Sequence, residues 1–368
     1  MGTDRVGCGS PARLLIYAFV GFGTLCCAIA LWPLSAVAQT VLPAAVYPVG
    51  MTQVEFIDPA DGGRPLDYLL VYPAAPDSAA TPYKVPLATN LHLYLDAPIV
   101  ADGLKRPLVM FSHGAGGNAS GYVWFGEFMA SHGYLVAMVY HYRANTYDTS
   151  ALYLRSRLWQ RPRDISLDLS QLLQDKNWGP HIDPNQIGVA GHSQGGFTSL
   201  WLGGAAVNPD LFLAFQRGWK NNKMVPTYLR DQMLPDAEPA RDLRDERVNA
   251  AFAMAPGDLP GFGMDEAGLR QMKIPTYLIV GASDTTTPPE DNAAFAAKFI
   301  PRAQLDILPG PVDHEIFGNE CDQLGRDNFP AACIDAPGVD RTRLHEYIGK
   351  KALEFFDSNL GVHRQSSN

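Results

Sequence analysis

The order of apolar runs along the chain predicts an α/β fold, a doubly wound and mostly parallel sheet flanked by helices. Three observations carry this expectation. Short, almost wholly apolar runs such as Leu108–Ser112 and Tyr134–Tyr140 have the length and composition of strands covered on both faces. Segments with apolar residues at three- and four-residue spacing lie between them, as at Ile165, Leu169 and Leu172. Strand and helix alternate along most of the chain, which is the pattern of right-handed crossovers between parallel strands.

The 368 residues are 46% apolar and 18% charged, enough material for one sizeable core. Net charge is −9, and no basic run or basic–aromatic patch offers a nucleic acid a footing. The first residues read as an export signal. Arg5 and Arg13 form a positive region, Leu14 to Leu34 is almost wholly apolar, and Ala36-Val37-Ala38 supplies small residues ahead of Gln39. We therefore expect residues 1–38 to be a signal peptide and 39–368 to be a single domain, secreted or periplasmic after cleavage near Ala38. No stable membrane span is expected in the mature chain, whose charge becomes −10 once Arg5, Arg13 and Asp4 are lost. The alternative is a retained anchor, because the apolar run approaches the ~20 residues that span a bilayer; Pro33 and the Ala-x-Ala site favour cleavage. Gly23-Thr24-Leu25 before Cys26 is a poor lipoprotein site. Cleavage would leave only Cys321 and Cys333, in a loop rich in Gly, Pro and Asp, and an exported chain would join them as one disulfide worth roughly 3 kcal/mol. A metal pair is the alternative, but no second Cys or His pair lies nearby.

Taken in order, residues 39–60 contain Pro and read as irregular. Pro65 to Tyr72 reads as a strand that Pro73 ends, and 74–106 as a long surface excursion with a short strand at Leu91 to Leu95. After the strand Leu108–Ser112, Tyr122 to His132 has helical spacing. Tyr134 to Tyr140 is a buried strand and Arg163 to Leu173 a helix. Ile187 to Ala190 is the strand before the serine. Residues 203–246 break the rhythm with a hydrophobic patch, Leu211 to Phe215, and a charged stretch, Asp236 to Arg247. They read as an insertion of short helices after the helix that follows the serine, either a lid over the site or an ordinary outer helix pair. Strands follow at Val248 to Met254, Pro275 to Val280 and Gln304 to Leu308, and a closing helix spans about Arg341 to Asn359.

Chemistry concentrates at Gly191-His192-Ser193-Gln194-Gly195, where a strand ends, the chain turns sharply and a helix starts. Only glycine fits two residues either side of a serine lifted above the sheet edge in this way. A serine hydroxyl needs a base to take its proton and an acid to orient that base. Asp284 follows the strand Pro275–Val280 and His314 follows Gln304–Leu308, both at carboxyl ends of parallel strands, where Ser193 also lies. The order Ser, Asp, His fits this topology. Asp284 has a competing role as cap of Thr285-Thr286-Thr287-Pro288, and Asp313 and Asp258 are rival acids. Among the nine histidines only His314 follows the acid, after a strand and in a loop. His192 is inside the elbow, His132 and His141 sit at helix or strand ends, His345 is on the last helix, and His92, His181 and His363 have no other catalytic signal. Two N–H groups should face the oxyanion: that of Gln194 and that of Ala115 in the turn His113-Gly114-Ala115, with His113 bracing the loop. Tyr122 and Trp124, after that turn, are candidates for an apolar substrate pocket, with core packing as the alternative.

The serine elbow, the Ser112-His113-Gly114-Ala115-Gly116-Gly117 loop, the Gly281-Ala282-Ser283-Asp284 turn and Asp313-His314-Glu315-Ile316-Phe317 together resemble the α/β-hydrolase superfamily. Within it, residues 64–358 are similar to the secreted "predicted dienelactone hydrolase" group, itself similar to plasma platelet-activating-factor acetylhydrolases. Arg161-Pro162-Arg163-Asp164-Ile165 and Cys321…Cys333 resemble that group as well. Dienelactone hydrolases proper carry a cysteine nucleophile; with Ser193 in its place, the resemblance implies hydrolysis of carboxylic esters. The expected reaction is attack by Ser193 on a small-molecule or lipid ester, with no cofactor and no metal. A peptidase or other acyl transferase on the same fold, or a non-catalytic ligand-binding relative, are the alternatives.

Overall fold

Five apolar strands line up in parallel because each is largely buried on both faces and pairs inside a covered sheet, and a sixth, more exposed strand closes one edge. The molecule, a computed structural model, is described for residues 41–364 except 43–45, 60–61, 77–79, 153, 155–156 and 234–241. The expected leader, 1–38, lies outside the described residues. The strands are β1 (Val41–Leu42), β2 (Val49–Asp58), β3 (Arg64–Pro73), β4 (Thr81–Tyr83), β5 (Leu93–Leu95) and β6 (Arg106–Ser112). They continue as β7 (Leu135–Tyr140), β8 (Ile182–His192), β9 (Val248–Met254), β10 (Thr276–Gly281), β11 (Ala303–Leu308) and β12 (His363–Arg364). Ten of them form one sheet in the order β11-β10-β9-β8-β6-β7-β3-β2-β5-β4, while β1 pairs with β12. From β11 to β7 every pairing is parallel, and β3 is antiparallel to both β7 and β2. The sheet is thus mixed at one side and parallel where the serine elbow sits.

Two helix pairs flank the sheet. Helix α1 (Val123–Ser131) packs with the C-terminal helix (Arg341–Leu360), and α2 (Gln160–Gln174) packs with α3 (Gln194–Leu202). On α2 the stripe Ile165, Leu169 and Leu172 is buried as its spacing predicts. The helix begins at Gln160, three residues earlier than expected, because Pro162 in its first turn has no helical N–H bond to lose.

One segment departs from its expectation. Residues 39–60 were expected to be irregular, yet Val49–Asp58 is a ten-residue strand paired with β3 from Val49↔Pro73 to Asp58↔Arg64. Its outward side chains alternate only weakly between polar and apolar, and Pro48 and Gly50 argue locally against a strand. The ladder with β3 overrides that local preference. In the 203–246 insertion, α4 (Pro209–Asn221) is capped by the Asn208 side chain and buries Phe212 against Trp201, with ring centroids 6.4 Å apart. A short helix follows at Thr227–Arg230. Among the described residues no helix is long and apolar enough to cross a membrane.

Cys321 and Cys333 are joined by a disulfide across a separation of 12 residues. The loop it closes is tied to the excursion before β6: Thr89 N–H donates to the Glu320 carbonyl and Asp322 N–H to that of Leu87, each at 2.9 Å. Reduction should lower the melting temperature, since a closed loop of this length contributes roughly 3 kcal/mol. An unchanged melting temperature, with two free thiols seen by mass spectrometry, would contradict the bond.

Candidate active site

At the end of β8 the chain must reverse into α3 within five residues. A Cβ at Gly195 would overlap the Ser112 carbonyl, and one at Gly191 the Gly195 carbonyl. Two glycines are therefore required by backbone contact, and Ser193 between them is forced to φ 57°, ψ −121°, a strained conformation that costs on the order of 1–3 kcal/mol. It is held in place by hydrogen bonds: Ser193 N–H donates to Met254 O at 2.9 Å, while its carbonyl accepts from Gly257 N at 3.2 Å.

Opposite the elbow, His314 Nδ1 donates to Asp284 Oδ2 at 2.7 Å, both groups being buried. The other carboxylate oxygen, Oδ1, accepts from the amides of Thr286 and Thr287 at 2.9 and 2.8 Å. Asp284 thus caps its own turn with one oxygen and meets the imidazole with the other, so the two roles that the sequence set against each other coexist. Thr287 Oγ1 lies 2.9 Å from Asp284 Oδ2 and 3.2 Å from His314 Nδ1, a contact the sequence did not single out. Asp313 spends its side chain accepting from Glu315 N–H at 3.1 Å. Among the described residues, no hydrogen bond joins Asp313 or Asp258 to the His314 ring.

The loop after β6 is braced from below. His113 Nδ1–H donates to the Gly114 carbonyl at 2.7 Å, and its Nε2 accepts the His141 N–H at 3.4 Å. Burial, with the Arg161 charge second, pushes the His113 pKa down to about 3, so the ring is neutral and this tautomer follows. Arg161, on α2, is itself buried and donates to both the His113 carbonyl and Ser112 Oγ, the latter at 3.2 Å. Ser112 Oγ in turn shares a 2.8 Å hydrogen bond with His141 Nε2. A guanidinium therefore sits directly beneath the loop that carries Ala115. Neither the Ala115 N–H nor the Gln194 N–H meets an acceptor among the described residues.

Tyr122 and His192 join the two sides. His192 is buried and held neutral by burial first and the neighbouring His314 second. Its Nε2–H donates to the His314 carbonyl at 3.0 Å, which leaves Nδ1 to accept from the Tyr122 hydroxyl at 2.9 Å. The structure thus brings Tyr122 beneath the elbow. It does not bring Trp124 there: that indole stacks on His345 at 3.8 Å and donates to the Phe317 carbonyl at 2.8 Å. For Trp124 the sequence's alternative, core packing, describes what is seen. Among the described residues no group of three or more His, Cys, Asp or Glu is arranged to hold a metal ion.

A family model described as platelet-activating factor acetylhydrolase, isoform II, matches residues 88–175. That stretch carries the His113–Gly117 loop and Arg161 but ends before Ser193. A platelet-activating factor acetylhydrolase of Bos taurus is 32% identical over 31% of this chain and 34% of its own length, so the chain matches about a third of that relative. The structure of a ferulic acid esterase from Streptomyces cinnamoneus superposes with a TM-score of 0.60 at 21% identity, covering 86% of this chain and 91% of that one. At that identity the likeness concerns the fold.

Four buried histidines, His113, His141, His192 and His345, have pKa values lowered by burial, to about 3 for His113 and His345. Their folded pKa lies below the unfolded value, so the unfolded chain takes up protons first and stability is lost as pH falls below about 6.5, by up to ~1.4 kcal/mol per histidine per pH unit. Asp164, raised to about 6 by burial that outweighs its Arg64 hydrogen bond, and Asp168, raised by burial, work in the opposite sense. Counting only the fully buried groups, four stand against two, so denaturant midpoints should be lower at pH 5.5 than at pH 7.5; equal or higher midpoints at pH 5.5 would contradict this net effect. The chain is an α/β-hydrolase-fold protein similar, over residues 88–175, to the platelet-activating factor acetylhydrolases.

Proposed function

We propose that this chain is a serine hydrolase of carboxylic esters, with Ser193 as nucleophile, His314 as general base and Asp284 as the group orienting it. The observation that carries the proposal is the 2.7 Å bond between His314 and Asp284 at the sheet edge where a strained Ser193 sits. In this mechanism His314 Nε2 takes the Ser193 proton as Oγ attacks the ester carbonyl. Asp284 stabilises the imidazolium that forms. The two N–H groups without acceptors among the described residues, Ala115 and Gln194, would hold the developing oxyanion, in a region made more positive by buried Arg161. The protonated His314 hands its proton to the departing alkoxide. Water, activated by the same base, then releases the acyl group from Ser193.

A cavity of ≈ 30 Å³ lies beside Gln194, walled on one side by Ala151, Leu152, Leu154 and Leu158 and on the other by polar groups that include His141, Arg157, Arg161 and Asp164. Its size supports a short acyl group, as the word acetylhydrolase in the bovine relative's name would have it. Initial rates on p-nitrophenyl esters from acetate to palmitate should fall with chain length, and Ser193→Ala should lower kcat by roughly four orders of magnitude or more. Retained turnover in Ser193→Ala would identify another nucleophile. A preference for palmitate would reject the short-chain pocket and assign the 203–246 insertion to a lid.

We also take residues 1–38 as a cleaved export leader, in keeping with a disulfide formed in an oxidising compartment. Amino-terminal sequencing of the exported protein should begin at Gln39; an intact leader would instead make it an anchor.

A further inference from the structure

A second groove, ≈ 410 Å³ in volume, opens on the antiparallel side of the sheet and shares Tyr142 with the cavity beside Gln194. Its floor is formed by side chains of β2, β3 and β7, among them Gln53, Asp67 and Tyr140, and its walls by Tyr83 on one side and Tyr142 to Asp148 on the other. The volume is that of a small-ligand site. The second wall is tied to the loop carrying Ala115: Thr146 N–H donates to the Gly117 carbonyl at 2.9 Å and Thr146 Oγ1 to that of Gly116 at 2.7 Å. Whatever fills the groove therefore touches a segment that supports the proposed oxyanion donors.

The chemistry of the lining selects among ligands. Four tyrosines face the groove, and the Tyr140 and Tyr147 rings stand 6.1 Å apart at 54°. The Tyr140 hydroxyl lies beside the Ser120 side chain and is close enough to Tyr147, Tyr83 and Asp67 to feel their charges, burial being the main cause of a pKa pushed up to about 12. Asp67 is half-buried, receives a hydrogen bond from the Gln53 amide and has no cationic partner among the described residues. An alkyl chain would bury these hydroxyls and this carboxylate without partners, at a cost of about 1–3 kcal/mol for each. A small organic cation would use the Asp67 carboxylate and the ring faces but leave the Gln53 amide and the phenol hydroxyls without partners; Arg64, 5.6 Å from the Tyr142 ring centre, is already paired with Asp58 and Asp164, and Arg143 on the rim with Asp148 at 3.9 Å. A neutral ligand with apolar C–H faces for the rings and many hydroxyls engages Asp67, Gln53 and the phenols together.

We propose that this groove is a saccharide-binding site, with the tyrosine faces stacking on a sugar ring and Asp67 accepting from its hydroxyls. Tyr147, 74% exposed, closes over the ligand from the rim. The inference concerns binding alone and stands whether or not the chain hydrolyses esters.

The test is isothermal titration of the intact protein with maltotriose, cellotriose and xylotriose, and in separate runs with tetramethylammonium chloride and phenol. At least one trisaccharide should bind saturably with a Kd of about 1 mM or below. Asp67→Asn and Tyr147→Ala, with melting temperatures checked, should each weaken it by roughly tenfold or more. The surface position of Tyr147 keeps the second variant informative if the first fails to fold. Three results would overturn the proposal: no saturable heat with any trisaccharide, sugar binding that survives both substitutions, or binding of tetramethylammonium or phenol with none of sugar. Ester turnover by the same preparation is scored separately, so failure of sugar binding is distinguished from failure of the ester-hydrolase reading.

Discussion

The close approach of Gly195 to the Ser112 carbonyl fixes the geometry on which everything else depends. It presses the first turn of α3 against the end of β6 so tightly that no side chain can stand between them. Two consequences follow from one contact. The strand–helix turn must pass through a positive φ at Ser193, and the loop leaving β6 must start beside that serine. The proposed nucleophile and the proposed oxyanion loop are thus positioned by a single backbone packing constraint. The strain at Ser193 is carried by β9 and the turn after it, through Met254 and Gly257, so the elbow is only as rigid as its neighbouring strand.

Beneath this junction the protein buries charge in an ordered way. Arg161 donates to the His113 carbonyl and Ser112 Oγ, while Asp58, Arg64, Asp164 and Arg163 form an ion network where β2 and β3 meet α2. His113 and His141 stand edge to face at 4.9 Å beside the same guanidinium, and both are kept neutral chiefly by burial. Protonating either would put a second buried cation next to Arg161. The loop is therefore braced by one permanent charge and two rings that must stay neutral, an arrangement that ties its shape to pH through the folded state.

Much of this was legible in the sequence, and the parts that were not share a cause. The strands β3 and β6 to β10 announce themselves as apolar runs because a strand buried on two faces has no polar alternation to hide in. Strand β2 did not, since its register comes from pairing with β3. Ser193, Asp284 and His314 are the candidates that spacing and chain order single out, and the structure brings Asp284 and His314 within hydrogen-bond distance. Arg161, Asp164 and Asp168 were assigned no site role although all three are buried on α2. The helical period places Arg161, Ile165, Asp168 and Leu172 along one stripe, so the signal was present; charged residue types masked it, because burial of such groups depends on partners from distant strands. Thr287 was missed for a related reason. Its part depends on which way the turn after Asp284 points its hydroxyl.

That turn also explains why chain order alone does not separate the three rival acids. Asp284 and Asp313 both cap the backbone that follows them, as aspartates after strands commonly do. The difference is geometric. The Asp284 carboxylate is fixed by two amides on one oxygen and by Thr287 on the other before His314 is counted, so its orientation is set by its own turn and not by the imidazole. The histidine ring then docks against an acceptor that is already aimed. A pair held in this way needs little reorganisation when charge appears on the ring, which is the property a general base requires of its partner.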